Sequence, residues 1–152
     1  MQVKVDISSL TEQAIKQIKY KRFVDEFLTD ADKMIIIQQI ALSTYIKAQL
    51  LVPVETGALK ASGAMSITSN GAEIAYNEPY GGYVHEVMYR HHRKPTQAKW
   101  LFDSFVDTLK DMILVYGSAN IPAFSIDFEY QPILKMTLSL DNTIGKDWRS
   151  FL

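Results

Sequence analysis

The histidines and a neighbouring glutamate are the residues of this chain whose types could hold a metal ion or transfer a proton. His85 and Glu86 are adjacent, and His91 and His92 follow shortly after them. A small metal-dependent hydrolase could use His85, Glu86 and His91. However, the pattern lacks the HExxH spacing of a zinc-binding helix, and we predict a strand or strand-like loop over 83–88, where neighbours point to opposite faces. We therefore expect a hydrogen-bonded structural histidine, with the hydrolase as an alternative.

A short basic run lies just beyond Glu86, from Arg90 to Lys94. Arg90, Arg93 and Lys94 could contact phosphate groups or an acidic surface, and such contacts weaken as the salt concentration rises. A DNA-binding module that uses this run is therefore a second alternative function. Isolated charge runs are usually solvated surface, so we expect an exposed loop.

The composition of the chain excludes several kinds of site. Its 152 residues include no cysteine, which rules out thiolate zinc sites, iron-sulfur clusters, cysteine nucleophiles and disulfides. The Gly81-Gly82 pair lacks the spacing of a phosphate-binding loop, and no serine lies in a GxSxG setting. The formal net charge is -1, so the chain as a whole lacks the basic excess of most nucleic-acid binders. We expect a protein without a cofactor and without enzymatic activity.

The elements that must position these residues follow from the hydrophobic pattern. Alternation over Val3 to Ile7 predicts a short strand, and the pattern that follows predicts a helix from about Leu10 to Phe27. A second helix, with capping residues at 29–32, is expected to end near Leu51, ahead of Pro53. These helices are long enough to cover one face of a sheet.

A strand pair and a third helix are expected after the second helix. Ala64 to Ser69 and Ala72 to Tyr76 flank Asn70-Gly71, a strong signal for a hairpin with a type I′ turn. Apolar residues recur every three or four positions between Pro95 and Gly117, which predicts a helix with one face on the sheet. Helices and hairpins in blocks indicate an α+β fold, with an antiparallel sheet packed against long helices.

The C-terminal residues have a different pattern. Strict alternation over 124–130 and 134–140, with Pro132 between the runs, predicts a second hairpin. An isolated hairpin is marginal in water, so these strands must join the main sheet or a neighbouring subunit. We therefore divide the chain into a core domain, 1–120, and a C-terminal β-hairpin arm with its tail, 121–152. The side chains of this arm that could contact another subunit are Phe124, Phe128, Tyr130 and Trp148.

A series of short motifs connects the second helix to the third. It consists of PVETGALKAS at 53–62, NEPYGGYVHE at 77–86 and KPTQAKWL at 94–101. Their order, with a hairpin after the first, resembles the tail-completion proteins of long-tailed bacteriophages, small neck components also called head-tail connector or minor capsid proteins. The resemblance covers residues 30–116. The motif positions, which could also form an interface, are Pro53, Thr56, Gly57, Leu59, Ser62, Tyr80, His85 and Glu86.

The resemblance implies a non-enzymatic structural protein of the virion. It would form a homo-oligomeric ring, a hexamer or a dodecamer, at the head-tail junction around the DNA channel. Its partners would be its own copies and other neck, portal-side and tail proteins, with DNA close by but not specifically bound. A near-neutral subunit suits a channel wall along which DNA must slide.

The chain start and the apolar runs bear on location. The segment MQVKVDISSL lacks the basic and apolar regions of a signal peptide, and we find no apolar run of the ~20 residues that a membrane helix needs. We therefore expect assembly in the host cytoplasm, a final location in the virion neck, and no membrane partner.

Overall fold

A computed structural model describes residues 28–53, 57–86, 99–140 and 145–152. In these ranges helices pack on an antiparallel sheet, which confirms the α+β class. The predicted strand at 3–7 and the predicted helix at 10–27 lie outside the described residues. The elements are α1 Asp30–Leu51, α2 Ala58–Ala61, β1 Gly63–Ile67, β2 Gly71–Tyr76, α3 Gly81–Glu86, α4 Trp100–Tyr116, β3 Ser125–Glu129, β4 Leu134–Ser139 and β5 Lys146–Asp147, with 3-10 turns at Ser118–Asn120 and Trp148–Phe151.

The sheet has five strands in the order β1-β2-β4-β3-β5, and its described pairings are antiparallel. Buried side chains alternate along β2 and β4, so one face of the sheet is apolar. Helix α1 packs against β1 and β2 on this face, and α4 packs beside α1. The core therefore lies between one sheet face and the two long helices. Its largest fully buried side chains include Trp100, Trp148, Tyr76, Phe105 and Phe124.

Local sequence determines both ends of α1. The Thr29 hydroxyl accepts a hydrogen bond from the Asp32 backbone N–H at 3.2 Å, which caps the first turn. Val52 is extended, as expected for the residue before Pro53, and the helix ends at Leu51 as predicted. The buried face comprises Ile37, Ile40, Ala41, Thr44 and Ala48.

Helix α1 also carries an exposed apolar face. Its large residues are between 50% and 63% exposed, and their spacing places them on the side opposite the buried face. We call these residues the α1 stripe: Ile35, Leu42, Ile46 and Leu50. The helix is therefore apolar on both sides, which is unusual for a helix that covers a sheet.

The length and apolar composition of α1 also meet the requirements for a membrane span. A core helix of a water-soluble protein meets the same requirements, and the inner face of α1 packs on the sheet. On its flank, Lys47 Nζ lies 3.0 Å from Asp107 Oδ2 and also pairs with Asp111, which ties α1 to α4. Burial acts to lower the pKa of Lys47, but the hydrogen bonds that its ammonium group donates to these carboxylates outweigh burial and raise the pKa above its ordinary value.

The first hairpin is confirmed, but its turn differs from the predicted one. The Thr68 N–H donates to the Gly71 carbonyl at 3.1 Å, so Ser69 and Asn70 are the two turn residues. Neither Asn70 nor Gly71 has a positive φ, and the prediction of a type I′ turn at Asn70-Gly71 is wrong. Gly71 instead lies within β2, where a Cβ atom would be 1.9 Å from the Leu138 carbonyl oxygen. The glycine is needed for close approach between strands rather than for the turn.

The second hairpin is present as β3 and β4, but a separate arm is not confirmed. Strand β4 pairs with β2 along six residues, from Gly71 opposite Ser139 to Tyr76 opposite Leu134. It is thus the middle strand of the sheet, and strands from both sides of residue 120 belong to one sheet. The physical reason is that Leu134, Met136 and Leu138 bury their side chains in the same core as β2.

Candidate functional site

The motif segments meet around α3. Residues 83–86 are helical, so the predicted strand or strand-like loop is wrong in the part that is described, while 87 and 88 lie outside the described residues. The neighbouring motif helix α2 begins at Ala58, directly after Gly57, whose φ of 77° is in the left-handed region. Its Leu59 side chain, 4% exposed, packs towards α3, and the Ser62 hydroxyl donates to the Leu59 carbonyl at 2.7 Å.

Two buried glycines allow α3 to lie close to its neighbours. A Cβ atom on Gly82 would be 2.2 Å from the Tyr130 carbonyl oxygen, and one on Gly81 would be 3.2 Å from Leu59 Cδ1. The pair therefore acts through the small size of its residues. The close packing brings His85, near the end of α3, into the core.

His85 is fully buried and has partners on both ring nitrogens. Nδ1 lies 2.9 Å from Glu86 Oε1, and Nε2 lies 3.3 Å from the backbone N–H of Phe102. Because Nε2 accepts from an amide, Nδ1 carries the proton and donates it to Glu86. The ring also contacts the edge of Trp100, with centroids 4.8 Å apart. The imidazole therefore joins α3 to the first turn of α4.

Lys99 completes this arrangement from the residue just before α4. Its backbone N–H donates to the His85 carbonyl at 2.7 Å, and its Nζ pairs with Glu86 Oε2. Lys99 has a φ of 57°, a left-handed conformation that costs free energy in a residue with a side chain. We call His85, Glu86, Lys99 and the Phe102 N–H the clamp. It holds together the two chain ends, 86 and 99, that flank residues 87–98.

The electrostatics of the clamp keep its groups in defined charge states. Burial, assisted by Lys99, lowers the pKa of His85 despite the neighbouring Glu86, so the imidazole is neutral at neutral pH. Partial burial acts to raise the pKa of Glu86, but hydrogen bonds from Lys99 and His85 outweigh it, and the pKa is lowered. Burial and the Glu86 carboxylate raise the pKa of Tyr130.

This geometry gives His85 a structural role. Its Nε2 lone pair is occupied by a backbone amide, so His85 can neither ligate a metal nor accept a proton from a substrate while the clamp is formed. Within the ranges that the structure describes, no group of three or more His, Asp or Glu residues is arranged for a metal ion. His91, the third residue of the hydrolase alternative, lies outside those ranges. The expectation of a hydrogen-bonded histidine is confirmed, in a helix instead of a strand.

The expected subunit contacts at the C-terminus need correction. Phe124 and Trp148 are 0% and 1% exposed and stack on each other, so they cannot contact another subunit in this conformation. Phe124 lies just before β3 and Trp148 just after its partner strand β5, and the Trp148 N–H donates to the Phe124 carbonyl at 3.2 Å, which holds both side chains against the core. Phe128 is partly buried in an aromatic group with Phe102 and Phe151, whereas Tyr130 is 37% exposed.

The remaining motif positions are dispersed. Pro53 follows α1 and is partly buried, and Tyr80 is 42% exposed just before α3. Thr56 lies outside the described residues. The basic run with Arg90, Arg93 and Lys94 lies there too, between the chain ends that the clamp joins.

Sequence reasoning did not find Lys99, which contributes two contacts of the clamp. A lysine before a helix carries no local signal for a left-handed conformation or for a distant carboxylate. Trp100, the first residue of α4, lies in the core, where its ring contacts Tyr76 and His85.

Comparison with known proteins gave no significant match to any family model, curated protein or solved structure.

Packing between α2 and α3 can be tested with a matched pair of variants. We expect Leu59→Ala to lower the free energy of unfolding by about 2 kcal/mol, because it leaves a cavity beside Gly81. Lys60→Ala, in the same helix turn but partly exposed, should change it by less than about 0.5 kcal/mol. Urea denaturation measures both. Equal effects would show that Leu59 does not hold α3.

Proposed function

We propose that this protein is a structural subunit of a bacteriophage neck, which forms a ring at the head-tail junction and takes part in tail completion. The ordered motif series suggests this function. The observation that carries it is the outer edge of β1, which offers unprotected backbone groups for pairing with another chain. Ring assembly needs two complementary surfaces on each subunit, and a strand edge can supply one of them.

The hydrogen-bond register identifies the backbone groups at this edge. At the two ends of β1, the Thr68 N–H donates to the Gly71 carbonyl, and the Ser62 carbonyl accepts from the Asn77 N–H. Both residues therefore bond towards β2. Because antiparallel pairs alternate, the N–H and C=O groups of Gly63, Met65 and Ile67 point away from β2. No described segment pairs with this side of β1. Of these groups, the Gly63 carbonyl already accepts from the Tyr45 hydroxyl at 2.8 Å, whereas those of Met65 and Ile67 have no backbone partner among the described residues.

The composition of β1 strengthens the inference. Natural edge strands are commonly protected by charged side chains, prolines or bulges, and β1 (GAMSI) has no charge and no proline. At the other side of the sheet, β3 carries Asp127 and Glu129 and pairs with β5 only at Ser125 and Ile126. The two edges of the sheet therefore differ in charge and pairing, and a head-to-tail contact in a ring needs two different surfaces on each subunit.

The clamp is compatible with this function. It uses His85 and Glu86 of the motif series as structural groups, so the motif needs no catalytic role. In the proposed ring, hexameric or dodecameric, the other contacts would be to neck, portal-side and tail proteins. The near-neutral net charge of -1 suits a subunit that DNA passes without tight binding.

Native mass spectrometry combined with electron microscopy of the purified protein tests the proposal. We expect closed rings of one copy number at micromolar concentration, and the same protein in the neck of purified virions. A protein that stays monomeric at all concentrations and is absent from virions would overturn the proposal.

A pair of variants at one position tests the role of the β1 edge. Ile67→Pro removes an N–H that points to the free edge, so the β1–β2 bonds remain while edge pairing is lost. We expect ring assembly to weaken at least about tenfold, which corresponds to about 1.4 kcal/mol. Ile67→Thr keeps the N–H and the branched side chain, and should assemble normally. If Ile67→Pro assembles as well as Ile67→Thr, the contact lies elsewhere.

A further inference from the structure

The last turn of α4 exposes apolar side chains in three directions. Leu114, Val115 and Tyr116 are 85%, 69% and 57% exposed, and successive residues of a helix point about 100° apart. We call these three residues the α4 knob. Exposed apolar groups this close together usually mark a surface that contacts another molecule.

A pocket lies at the opposite end of α4, between the start of the helix, β3 and the C-terminal turn. We call it the aromatic pocket, and it is lined by Phe102, Phe128, Tyr130 and Phe151, with Asp127 and Lys146 beside them. Its volume of about 430 Å³ is typical of pockets that hold a ligand or a large side chain. From Phe102 to Leu114 the helix extends about 18 Å, so the α4 knob cannot reach the pocket of its own chain.

The wall of the aromatic pocket also offers backbone hydrogen-bonding groups. The Phe124 carbonyl faces the β5 side, because it accepts from the Trp148 N–H. Backbone groups alternate along an antiparallel strand, so those of Phe128 point in the same direction. Strand β5 pairs with β3 only at Ser125 and Ile126, and the Phe128 N–H and C=O have no backbone partner on this side among the described residues. They can therefore bond to a polar group that enters the pocket.

We propose that the α4 knob of one copy of the chain enters the aromatic pocket of the next copy, with the Tyr116 ring against the aromatic side chains. Tyrosine combines an apolar ring with a polar tip, and the Tyr116 hydroxyl would bond to the Phe128 backbone. Lys110 is exposed one turn before the knob, and Asp127 lies at the pocket. These opposite charges favour the same orientation.

The inference rests on the proposed function and adds a second contact to the one at the β1 edge. A head-to-tail ring requires two different surfaces that fit each other. The α4 knob and the aromatic pocket meet this requirement, because they are complementary and lie at opposite ends of one helix. A second copy is favoured over another protein as the partner, because one chain carries both halves of the contact.

Three variants with closely matched changes test the contact. Tyr116→Asp would place a carboxylate in the aromatic pocket, and we expect it to weaken ring assembly at least about thirtyfold. Tyr116→Phe loses only the hydroxyl and should weaken assembly about fivefold. Tyr83 on α3 is also 57% exposed, so Tyr83→Asp is the control and should assemble like the wild type. Analytical ultracentrifugation measures assembly, and circular dichroism checks that each variant is folded.

Cross-linking between copies identifies the two surfaces directly, because the natural chain contains no cysteine. Leu114→Cys and Lys146→Cys chains are mixed and treated with a short bismaleimide reagent. We expect mainly dimers linked between residues 114 and 146, which mass spectrometry identifies. Mainly 114–114 or 146–146 dimers, or no cross-link, would overturn the inference.

The assembly measurements separate this inference from the proposed function. If Tyr116→Asp forms closed rings as readily as the wild type, the knob contact is wrong and the proposed function is unaffected. If the wild type forms open filaments that Tyr116→Asp weakens, the knob contact is supported and the proposed ring is wrong. A wild type that stays monomeric would overturn both.

Discussion

The Gly71→Ala variant is expected to lose about 3 kcal/mol of unfolding free energy, because the added methyl group overlaps the main chain of the neighbouring strand. The new Cβ atom would lie 1.9 Å from the Leu138 carbonyl oxygen and 2.8 Å from its carbonyl carbon. Strand β2 is paired on both sides, so neither neighbour can move away without breaking ladder hydrogen bonds. Urea denaturation followed by circular dichroism measures the loss.

Gly57→Ala is the matched control for this variant. Gly57 has a φ of 77° in the left-handed region, and its missing Cβ would meet no atom within 4 Å. Its replacement should cost only the backbone strain of about 1 kcal/mol. If the two variants lose equal stability, strand contact is not the reason for the glycine at 71.

Acid should destabilise the protein through His85, in a pH window just below 6.5. The pKa of His85 is lowered in the folded state by burial, whereas an unfolded histidine titrates near its ordinary value of about 6.5. Between these two pKa values the unfolded chain binds more protons, so the free energy of unfolding falls as the pH falls through this window. Above the window the contribution is constant. Unfolding curves at a series of pH values measure this slope.

Variants of the histidines show which residue causes this pH dependence of the free energy of unfolding. His85→Gln retains an acceptor for the Phe102 N–H but cannot take up a proton, so its stability should be flat across the window. His85→Ala leaves a cavity and an unpaired amide, and should cost about 3 kcal/mol at pH 7. The double variant His91→Gln, His92→Gln should keep the wild-type slope. A slope that survives in His85→Gln would contradict the assignment.

Glu86 acts in a separate and lower pH window. Its pKa is lowered in the folded state, chiefly by its hydrogen bonds from Lys99 and His85 against the opposing effect of burial. Its stabilising effect is therefore present above the unfolded pKa of about 4.5 and is lost as the pH falls through the folded value. The two windows allow the effect of His85 to be measured separately.

Sequence patterns predicted the elements whose signals are local. Thr29 and Pro53 determine the ends of α1, Gly117 ends α4, and strict alternation marks β3 and β4. These signals depend on a few adjacent residues, such as a capping hydroxyl or a missing N–H. The fold class followed from them.

Features that depend on distant contacts were not predictable from sequence. Glycine has a low helix propensity, so the Gly81-Gly82 pair does not predict a helix. Helix α3 forms at this position because Gly81 fits against Leu59 and Gly82 against the Tyr130 main chain. The burial of Phe124 and Trp148 depends on the pairing of β3 with β5, which sets these two residues side by side and which alternation alone does not specify. In the candidate site, the backbone N–H groups of Phe102 and Lys99, which donate to His85, lie seventeen and fourteen residues away from it.

The clamp has a consequence for how this chain can change during evolution or engineering. Because Lys99 bonds to the His85 backbone and to the Glu86 side chain, we expect the described fold to tolerate a change in the length of chain between 86 and 99. Lengthening a closed loop costs little, about 0.6 kcal/mol for each doubling. An epitope or a fluorescent tag inserted between 86 and 99 is therefore expected to leave the sheet intact, which makes this position a practical attachment point for locating the protein in a larger assembly.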